Sequence, residues 1–272
     1  MKRIAILEDL SEFGRCSMTI ALPVLAASGV EGVPIITSLL SSHMGLPGFV
    51  CTDLTDTLLP AAQQYRQLQI HFDGIYVGFL SNEAQMDLLP QVKDCISSAD
   101  TTLLIDPVMG DHGRLYHAVT GRMVEKMRIL CAGADIITPN LTEAAYLLDC
   151  PPETLQSFDR AAEAARALCR TGAKCVFLTG VTRGTETGVL MARSADSDPI
   201  YLTAQAVSGS FHGTGDLFAS ALFAKLIQGK SPETAAQETV EWVAECVRYT
   251  ALSETDRRFG TQFEPFLKQL CP

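Results

Sequence analysis

A glycine-flanked turn with one carboxylate lies in the last third of the sequence. Gly213-Thr214-Gly215-Asp216 runs directly into an apolar segment, residues 217–227. Glycine lets a backbone turn sharply and approach a ligand closely, and the first turn of a helix presents unpaired N–H groups that favour an anion. A carboxylate beside an anion site needs a chemical reason. Because a hydroxyl group that attacks phosphorus needs a general base, Asp216 is a candidate for that role.

The simpler alternative is a tight turn in which Asp216 is only an N-terminal helix charge. The turn is neither a P-loop nor the usual dinucleotide fingerprint, since Phe218 stands where the third glycine belongs. Residues 217–227 leave almost no polar face, and a helix that is apolar all round is buried. We therefore expect Asp216 at the end of a buried helix, where a carboxylate needs partners or a function.

Asp106 and Asp111 bracket a loop that follows the apolar run 102–105. Two carboxylates at the carboxyl end of a strand are suited to holding Mg²⁺, directly or through water. The alternative is that Asp106 caps a turn while Asp111 is solvated. The spacing favours a functional role by about two to one.

Thr138-Pro139-Asn140 also follows a strand-like run and leads to Glu143. The local pattern favours a helix start in which Asn140 caps the helix and Glu143 completes a capping box. Glu143 could also reach a metal-bound phosphate, and the two roles are compatible.

Short aliphatic runs alternate with longer helical patterns along the chain. The predicted strands are residues 3–7, 33–37, 74–79, 102–106, 135–138, 175–179, 187–192 and 199–204, and the predicted helices are 15–27, 53–68, 83–97, 119–131, 142–148, 159–171, the segment after Gly213 and the segment from Pro232. This alternation predicts an α/β fold with a mostly parallel sheet, helices on both faces, and a hairpin near one edge. We expect one domain over residues 1–272, with ligands at the carboxyl ends of the strands.

Composition excludes several classes of protein. The 272 residues carry a formal net charge of −10, which argues against nucleic-acid binding. No apolar run approaches the roughly 20 residues that cross a bilayer, so we expect no membrane association. The nine cysteines include no CxxC pair, which argues against a zinc site and favours reduced thiols in a cytoplasmic protein.

Taken together, these segments resemble the ribokinase-like family of small-molecule kinases, and within it the pyridoxal (vitamin B6) kinase branch. The resemblance covers nearly the whole chain. It rests on the first strand up to Gly14, on Asp106-Pro107-Val108-Met109-Gly110-Asp111 with Gly113 and Tyr116, on Thr138-Pro139-Asn140 with Glu143, and on Gly213-Thr214-Gly215-Asp216. It implies a kinase that phosphorylates the 5′-hydroxymethyl group of a B6 vitamer with ATP and Mg²⁺.

The resemblance also implies roles for individual residues. Asp216 would be the catalytic base, with an anion hole at Gly213, Thr214 and Gly215. ATP and Mg²⁺ would be bound around Asp106, Asn140 and Glu143, with Thr179 and Gly180 near the nucleotide. Asp111 and Thr138 match positions associated with a monovalent cation such as K⁺, and Asp9, His43 and Met44 fall where the family contacts the pyridine ring. Members of this branch are commonly homodimers.

Two departures concern the substrate pocket. Position 9 is Asp where related kinases often have Ser, and Met44 replaces a frequent Thr. Hydroxymethylpyrimidine kinases are close relatives that tend to carry Cys in place of Asp216, so Asp216 favours a pyridoxine-type substrate. The alternatives are a hydroxymethylpyrimidine kinase and a catalytically idle ligand-binding or sensor homologue.

Overall fold

A nine-stranded sheet lies at the centre of the molecule. The structure, a computed structural model, describes all 272 residues. The strands lie in the order β11-β10-β9-β8-β5-β4-β1-β2-β3. Their bounds are β1 Arg3–Ser11, β2 Glu31–Leu40, β3 Cys51–Asp53, β4 Gly74–Val77, β5 Thr102–Ile105, β8 Ile136–Ile137, β9 Cys175–Arg183, β10 Glu186–Ala192 and β11 Ile200–Gln205, with a separate hairpin of β6 Gly110–Asp111 and β7 Arg114–Leu115. The inner strands pair in parallel, while the pairs β2–β3, β9–β10 and β10–β11 toward the two edges are antiparallel.

Helices cover both faces of the sheet. Their bounds are α1 Met18–Ala27, α2 Thr55–Gln67, α3 Glu83–Ile96, α4 Gly121–Ala132, α5 Leu141–Leu147, α6 Phe158–Arg170, α7 Thr214–Ile227 and α8 Pro232–Leu252, with short 3₁₀ segments at Pro152–Leu155, Arg257–Phe259 and Glu264–Leu270. One face packs on α2 to α6, and the other packs on α1, α7 and α8. No helix has both the length and the apolar character that a membrane crossing requires.

The strand sequences explain this layering. In β1, Ala5 and Leu7 belong to the core beneath α2 to α6, while Ile4 and Ile6 belong to the core beneath α1, α7 and α8. Alternate side chains of a strand point to opposite faces, so a run that is apolar at every position is buried on both sides. The predicted α/β class, the mostly parallel sheet and the edge hairpin are confirmed.

Several predicted boundaries are wrong, and the errors cluster near the amino terminus. β1 does not end at Leu7 but continues to Ser11, carrying Glu8 and Asp9 into the interior. The first helix begins at Met18 rather than Arg15, because residues 12–17 form a loop. Pro23 lies inside α1 without ending it.

Part of the segment following β2 is more regular than expected. Residues 45–56 are glycine- and proline-rich and predict a mobile flap over the substrate. Within that range, however, Cys51–Asp53 forms β3, which pairs with the end of β2, and α2 begins at Thr55. The part of this segment without regular structure is confined to residues 41–50.

Candidate active site

Acidic side chains gather where the central parallel strands end. The register pairs Leu7 of β1 with Val77 of β4, and Val77 with Ile105 of β5. Glu8, Gly78 and Asp106 directly follow these three paired residues. They therefore form one row at the carboxyl edge of the sheet. Glu8 and Asp106 are buried. Ligands of open α/β sheets bind at this edge, as the sequence predicts.

Asp216 lies in the first turn of α7, facing this row. The N–H groups of Thr214, Gly215 and Asp216 donate no hydrogen bond, and the first backbone bond of the helix runs from Leu217 N to Gly213 O. Such unpaired N–H groups, together with the helix dipole, form an anion site. Asp216 as a whole residue is intermediate between buried and exposed. Burial of the carboxyl group raises the pKa of Asp216 to about 6, although a hydrogen bond from Ser17 N–H opposes that rise.

The loop of residues 12–17 holds Asp216 from the opposite side. Ser17 N–H donates to Asp216 Oδ2 at 2.9 Å, from a backbone with φ 48° that a non-glycine residue rarely adopts. Gly213 has φ 81°, and a Cβ there would lie 2.4 Å from the carbonyl oxygen of Arg15. Glycine is required at position 213 on both grounds.

Residues from the end of the chain clamp the same loop. A Cβ on Gly260 would lie 2.6 Å from the Arg15 carbonyl oxygen. Arg15 N–H donates to Phe259 O at 3.0 Å, and the Arg15 guanidinium pairs with Glu264 at 2.6 Å. The position of Ser17, and therefore of its bond to Asp216, depends on this clamp.

Asp106 and Thr138 form a buried pair on neighbouring strands. Thr138 Oγ1 donates to Asp106 Oδ1 at 3.0 Å. Burial, followed by the negative charge of Asp216, raises the pKa of Asp106 to about 7 despite that hydrogen bond. The charge of Asp216 therefore opposes ionisation of Asp106, and a cation or a donor between the two carboxyl groups would relieve the repulsion.

Asn140 and Glu143 form the predicted capping box at the start of α5. Asn140 Oδ1 accepts from Glu143 N–H, and Glu143 Oε2 accepts from Asn140 N–H, both at 2.9 Å. The same side chains reach the loop after β5, where Asn140 Nδ2 donates to Gly110 O and Glu143 Oε1 accepts from Met109 N–H. The two side chains therefore join the ends of β5 and β8. Burial raises the pKa of Glu143 well above its ordinary value, and the Asp106 charge adds to the effect.

The remaining residues predicted near the nucleotide lie toward the rim. Thr179 N–H donates to Pro139 O at 2.8 Å, and Gly180 has φ 74° with open space beside it. The pairing register of β9 with β10 shifts here, which marks a bulge at Thr179 and Gly180. Asp111 is exposed, unlike Asp106, and its Oδ1 accepts from His112 N–H.

The predicted ring-contacting residues lie on the β1 and β2 side. Asp9 is buried, and Ser11 Oγ donates to its Oδ2 at 2.9 Å. Burial raises the pKa of Asp9, and hydrogen bonds from Ser17 and Ser11 oppose the rise.

His43 uses both ring nitrogens to bind backbone. Its Nε2 lies 2.6 Å from the Arg258 carbonyl oxygen, an acceptor, so Nε2 carries the proton, and its Nδ1 accepts from Gly45 N–H. His43 therefore offers a substrate only its ring face. Met44 beside it is half-buried.

Glu8 and Ser17 were missed by the sequence prediction. Glu8 shares the face of Ile4 and Ile6 at a period of two, which is the signal that could have identified an inward-facing acid. Ser17 acts through its backbone N–H, and no side-chain pattern indicates such a role.

A comparison with known proteins agrees with this geometry. The family model described as phosphomethylpyrimidine kinase matches residues 21–260. The chain belongs to the phosphomethylpyrimidine kinase family. The fold is that of the ribokinase-like kinases, and the predicted resemblance is confirmed at that level.

Individual members of the phosphomethylpyrimidine kinase family and its relatives align over nearly the full chain. A Bacteroides thetaiotaomicron protein assigned as a phosphomethylpyrimidine kinase, crystallised with pyridoxal, is 34% identical with a TM-score of 0.92, covering 99% of this chain and 95% of the other. The pyridoxal kinase of Lactobacillus plantarum is 29% identical with a TM-score of 0.89, covering 99% and 96%. The pyridoxal kinase PdxY of Leifsonia xyli is 26% identical over 91% of this chain and 89% of its own.

Proposed function

We propose that this chain transfers the γ-phosphoryl group of ATP to the 5′-hydroxymethyl group of a B6 vitamer: pyridoxal, pyridoxine or pyridoxamine. One observation carries the proposal. Asp216, a carboxylate held by Ser17 N–H, stands beside three consecutive N–H groups that have no acceptor in the protein. An acceptor for a hydroxyl proton and donors for phosphoryl charge are the two things that phosphoryl transfer to an alcohol needs.

In the proposed reaction, Asp216 accepts the proton of the hydroxymethyl group as its oxygen attacks phosphorus. The N–H groups of Gly213, Thr214 and Gly215 stabilise the charge on the transferring phosphoryl group. Those of Thr214 and Gly215 donate to no acceptor within the chain, which supports this role. Because α7 is buried from Leu217 to Lys225, the helix that carries the donors is fixed before the substrate arrives. Preorganised donors of this kind lower the barrier most in a site from which water is excluded.

The nucleotide side of the proposed site comprises Asp106, Asn140, Glu143, Thr179 and Gly180. Asp106 Oδ1 is engaged by Thr138, while a Cβ on Gly215 would lie 4.0 Å from Asp106 Oδ2, so Oδ2 is turned toward the first turn of α7. Asn140 and Glu143 hold the loop after β5 in place.

A resident metal cage is not part of this proposal. No three side chains among His, Cys, Asp and Glu converge in a metal-binding arrangement. Mg²⁺ that is held mainly by substrate phosphates and water needs only one or two protein oxygens, and the oxygen-only donors here fit that demand. Bound Mg²⁺ would supply neutralisation of the phosphate charge. We propose Glu143 as a contributor to its binding, and Asp111 and Thr138 as contributors to a monovalent cation site such as one for K⁺.

A B6 vitamer is favoured over a hydroxymethylpyrimidine by two observations. Position 216 is Asp, and the relative crystallised with pyridoxal aligns over 99% of this chain. The pyrimidine alternative rests on the name of the matching family model. We propose that Asp9, His43 and Met44 contact the ring, with His43 contributing its ring face.

The test compares kcat/KM for pyridoxal, pyridoxine, pyridoxamine and the hydroxymethyl aminopyrimidine, measured as ADP formed with Mg-ATP. We expect at least one B6 vitamer to exceed the pyrimidine. Asp216→Asn is the matched control, because it keeps the shape of the site and removes the base. We expect it to lower kcat by about 10²- to 10⁴-fold while the Kd for ATP stays within about threefold.

Near-normal turnover by Asp216→Asn would remove Asp216 from the mechanism. A pyrimidine preference would replace the B6 substrate without changing the chemistry. ATP consumption that responds to none of the four compounds would instead indicate the ligand-binding or sensor alternative.

We further propose a cytoplasmic homodimer formed by the single domain over residues 1–272. All nine cysteines are free thiols, which suits a reducing compartment. The dimer rests on the family resemblance alone, and sedimentation of the purified chain tests it.

A further inference from the structure

Glu8 is a wholly buried acid on β1 that the proposed reaction does not yet use. It lies opposite Gly78, the residue after β4, whose N–H donates to Leu7 O at 2.9 Å. A Cβ at position 78 would lie 2.3 Å from Glu8 Oε1 and 2.7 Å from Glu8 Cδ. Any side chain there would displace the carboxyl group, so Gly78 provides the space that the Glu8 carboxyl group occupies.

Neither oxygen of the Glu8 carboxyl group has a hydrogen-bond partner as an acceptor. The polar groups that face it are mostly acids, and no Lys or Arg is among them: Asp216 on α7, Asp9 on β1, Asp106 on β5, with the Tyr76 hydroxyl on β4 and the Cys16 thiol in the loop after β1. An ionised, unpaired carboxylate in such surroundings is very unfavourable. Burial first, and then the Asp216 charge, raise the pKa of Glu8 well above its ordinary value. These surroundings favour the neutral carboxylic acid form of Glu8, which has one O–H to donate.

Among the acids that face Glu8, Asp216 has the largest effect on it. An interaction between the two side chains raises the pKa of Glu8 and lowers that of Asp216, which makes the Asp216 carboxylate the candidate acceptor for that O–H. A raised pKa for Glu8 together with a lowered pKa for Asp216 is what a hydrogen bond from protonated Glu8 to ionised Asp216 would produce. Ser17 N–H already occupies Asp216 Oδ2, so the Asp216 carboxylate is then held by two donors from two different elements.

We propose that Glu8 is a positioning residue: as a neutral carboxylic acid in the space left by Gly78, it donates a hydrogen bond to Asp216 and keeps that carboxylate oriented for the proposed phosphoryl transfer. The inference rests on the proposed function, because the orientation matters only if Asp216 is the base. A hydrogen bond from Glu8 favours the charged form of Asp216. It thereby offsets part of the increase in the Asp216 pKa that burial causes. Glu8 itself touches neither substrate in this scheme.

Two variants of equal size separate the donor from the space it fills. Glu8→Gln keeps a donor and is always neutral, whereas Glu8→Met keeps the volume and removes the donor. We expect Glu8→Gln to retain kcat within about threefold and to leave the acidic limb of the kcat/KM pH profile in place. We expect Glu8→Met to lower kcat by about tenfold and to move that limb upward by about one pH unit.

Other outcomes would overturn the proposal. If Glu8 is ionised, both variants remove a negative charge, and the acidic limb of each variant's profile moves to lower pH. If Glu8 only fills space, the acidic limb moves in neither variant. If Glu8→Met unfolds, Glu8→Leu, which also lacks a donor, takes its place in the comparison with Glu8→Gln.

An infrared difference spectrum of wild type minus Glu8→Gln at pH 7 is independent of activity. We expect it to contain the C=O stretch of a protonated carboxyl group, and a carboxylate band in its place would overturn the proposal. Because this spectrum needs no substrate, it can succeed even if the B6 substrate is wrong. If the protonated band is present but no B6 vitamer is turned over, the result counts against the proposed function and not against the protonated state of Glu8.

Discussion

Asp216 meets two opposing demands at the scale of a single residue. As the proposed base it must be ionised to accept a proton, yet its carboxyl group is buried among other acids. Burial raises the pKa of Asp216 to about 6, while the hydrogen bond from Ser17 favours the charged form. A base with a pKa just below neutral pH is ionised in most molecules and still accepts a proton readily.

The pH dependence of turnover follows from that value. We expect kcat/KM for the best B6 vitamer to fall tenfold per pH unit below about pH 6, as Asp216 becomes protonated. The sign follows from the role of the residue, because the base works in its ionised form and is lost as pH falls through its pKa. The measurement is kcat/KM from pH 4.5 to 9, with the Kd for ATP measured in parallel to remove effects on nucleotide binding. An acidic limb near 4, the ordinary value for Asp, would contradict it.

At the scale of elements, α7 and the loop of residues 12–17 have to meet at very short range. Gly213 is the point of contact, since its missing side chain lets the start of α7 approach the Arg15 carbonyl group. Its left-handed backbone also turns the chain into the helix. Both features set the direction of the unpaired N–H groups.

Gly213→Ala tests that approach, with Gly229→Ala as its control. Both glycines have positive φ, but a Cβ at position 229 meets nothing within 4 Å, whereas at position 213 it meets backbone. We expect Gly229→Ala to lower the free energy of unfolding by about 1 kcal/mol and to leave kcat unchanged. Gly213→Ala should lower stability further and reduce kcat by about tenfold or more, as measured by denaturant unfolding and ADP formation. Equal effects of the two substitutions would show that only backbone conformation matters.

The strand and helix pattern was predictable because period and apolar content act locally. All eight predicted strands are present, and so is the capping box of Asn140 and Glu143. The end of β1 at Ser11 was missed because the charged residues Glu8 and Asp9 follow the apolar run, whereas the strand continues through the pairing of Leu10 and Ser11 with the end of β2, a tertiary contact. β3 was missed for the same reason, since the pairing of Cys51–Asp53 with the end of β2 depends on tertiary structure.

The candidate site shows the same division. Strand ends and the glycine turn identified Asp106 and Asp216, because parallel strands bring their carboxyl ends to one edge. The contribution of Ser17 arises from a backbone with φ 48°, which is a product of the folded loop. The contrast between buried Asp106 and exposed Asp111 was likewise beyond a spacing argument.

At the scale of the whole molecule, the concentration of buried acids opposes folding at neutral pH. Glu8, Asp106, Glu143 and Asp216 all have a raised pKa in the folded protein, with burial as the leading cause. Their protonated forms are compatible with folding at low pH. Protonation of Asp106 contributes to the stability of the folded state. This contribution is fully present below about pH 4 and is lost as pH rises to about 7.

Asp106→Asn should therefore stabilise the protein while impairing its activity. We expect a Tm several °C above that of wild type at pH 8 and a much smaller difference at pH 5, without nucleotide and with a chelator present. Asn can still accept the hydrogen bond from Thr138, so the change removes charge with little change in shape. Asp100→Asn is the control, since Asp100 is exposed and makes no hydrogen bond through its side chain. A pH-independent difference between Asp106→Asn and wild type would contradict this account.

The clamp on Arg15 has a consequence for synthesis of the chain. The loop that positions Ser17 is completed by Phe259, Gly260 and Glu264, which are synthesised long after the loop itself. The central strands and α7 can pair before then, but the Arg15 backbone and guanidinium lack these partners until those residues emerge from the ribosome. A nascent chain can therefore bury most of its core while the proposed catalytic centre is still open. Competence for the proposed phosphoryl transfer is then acquired later than the core.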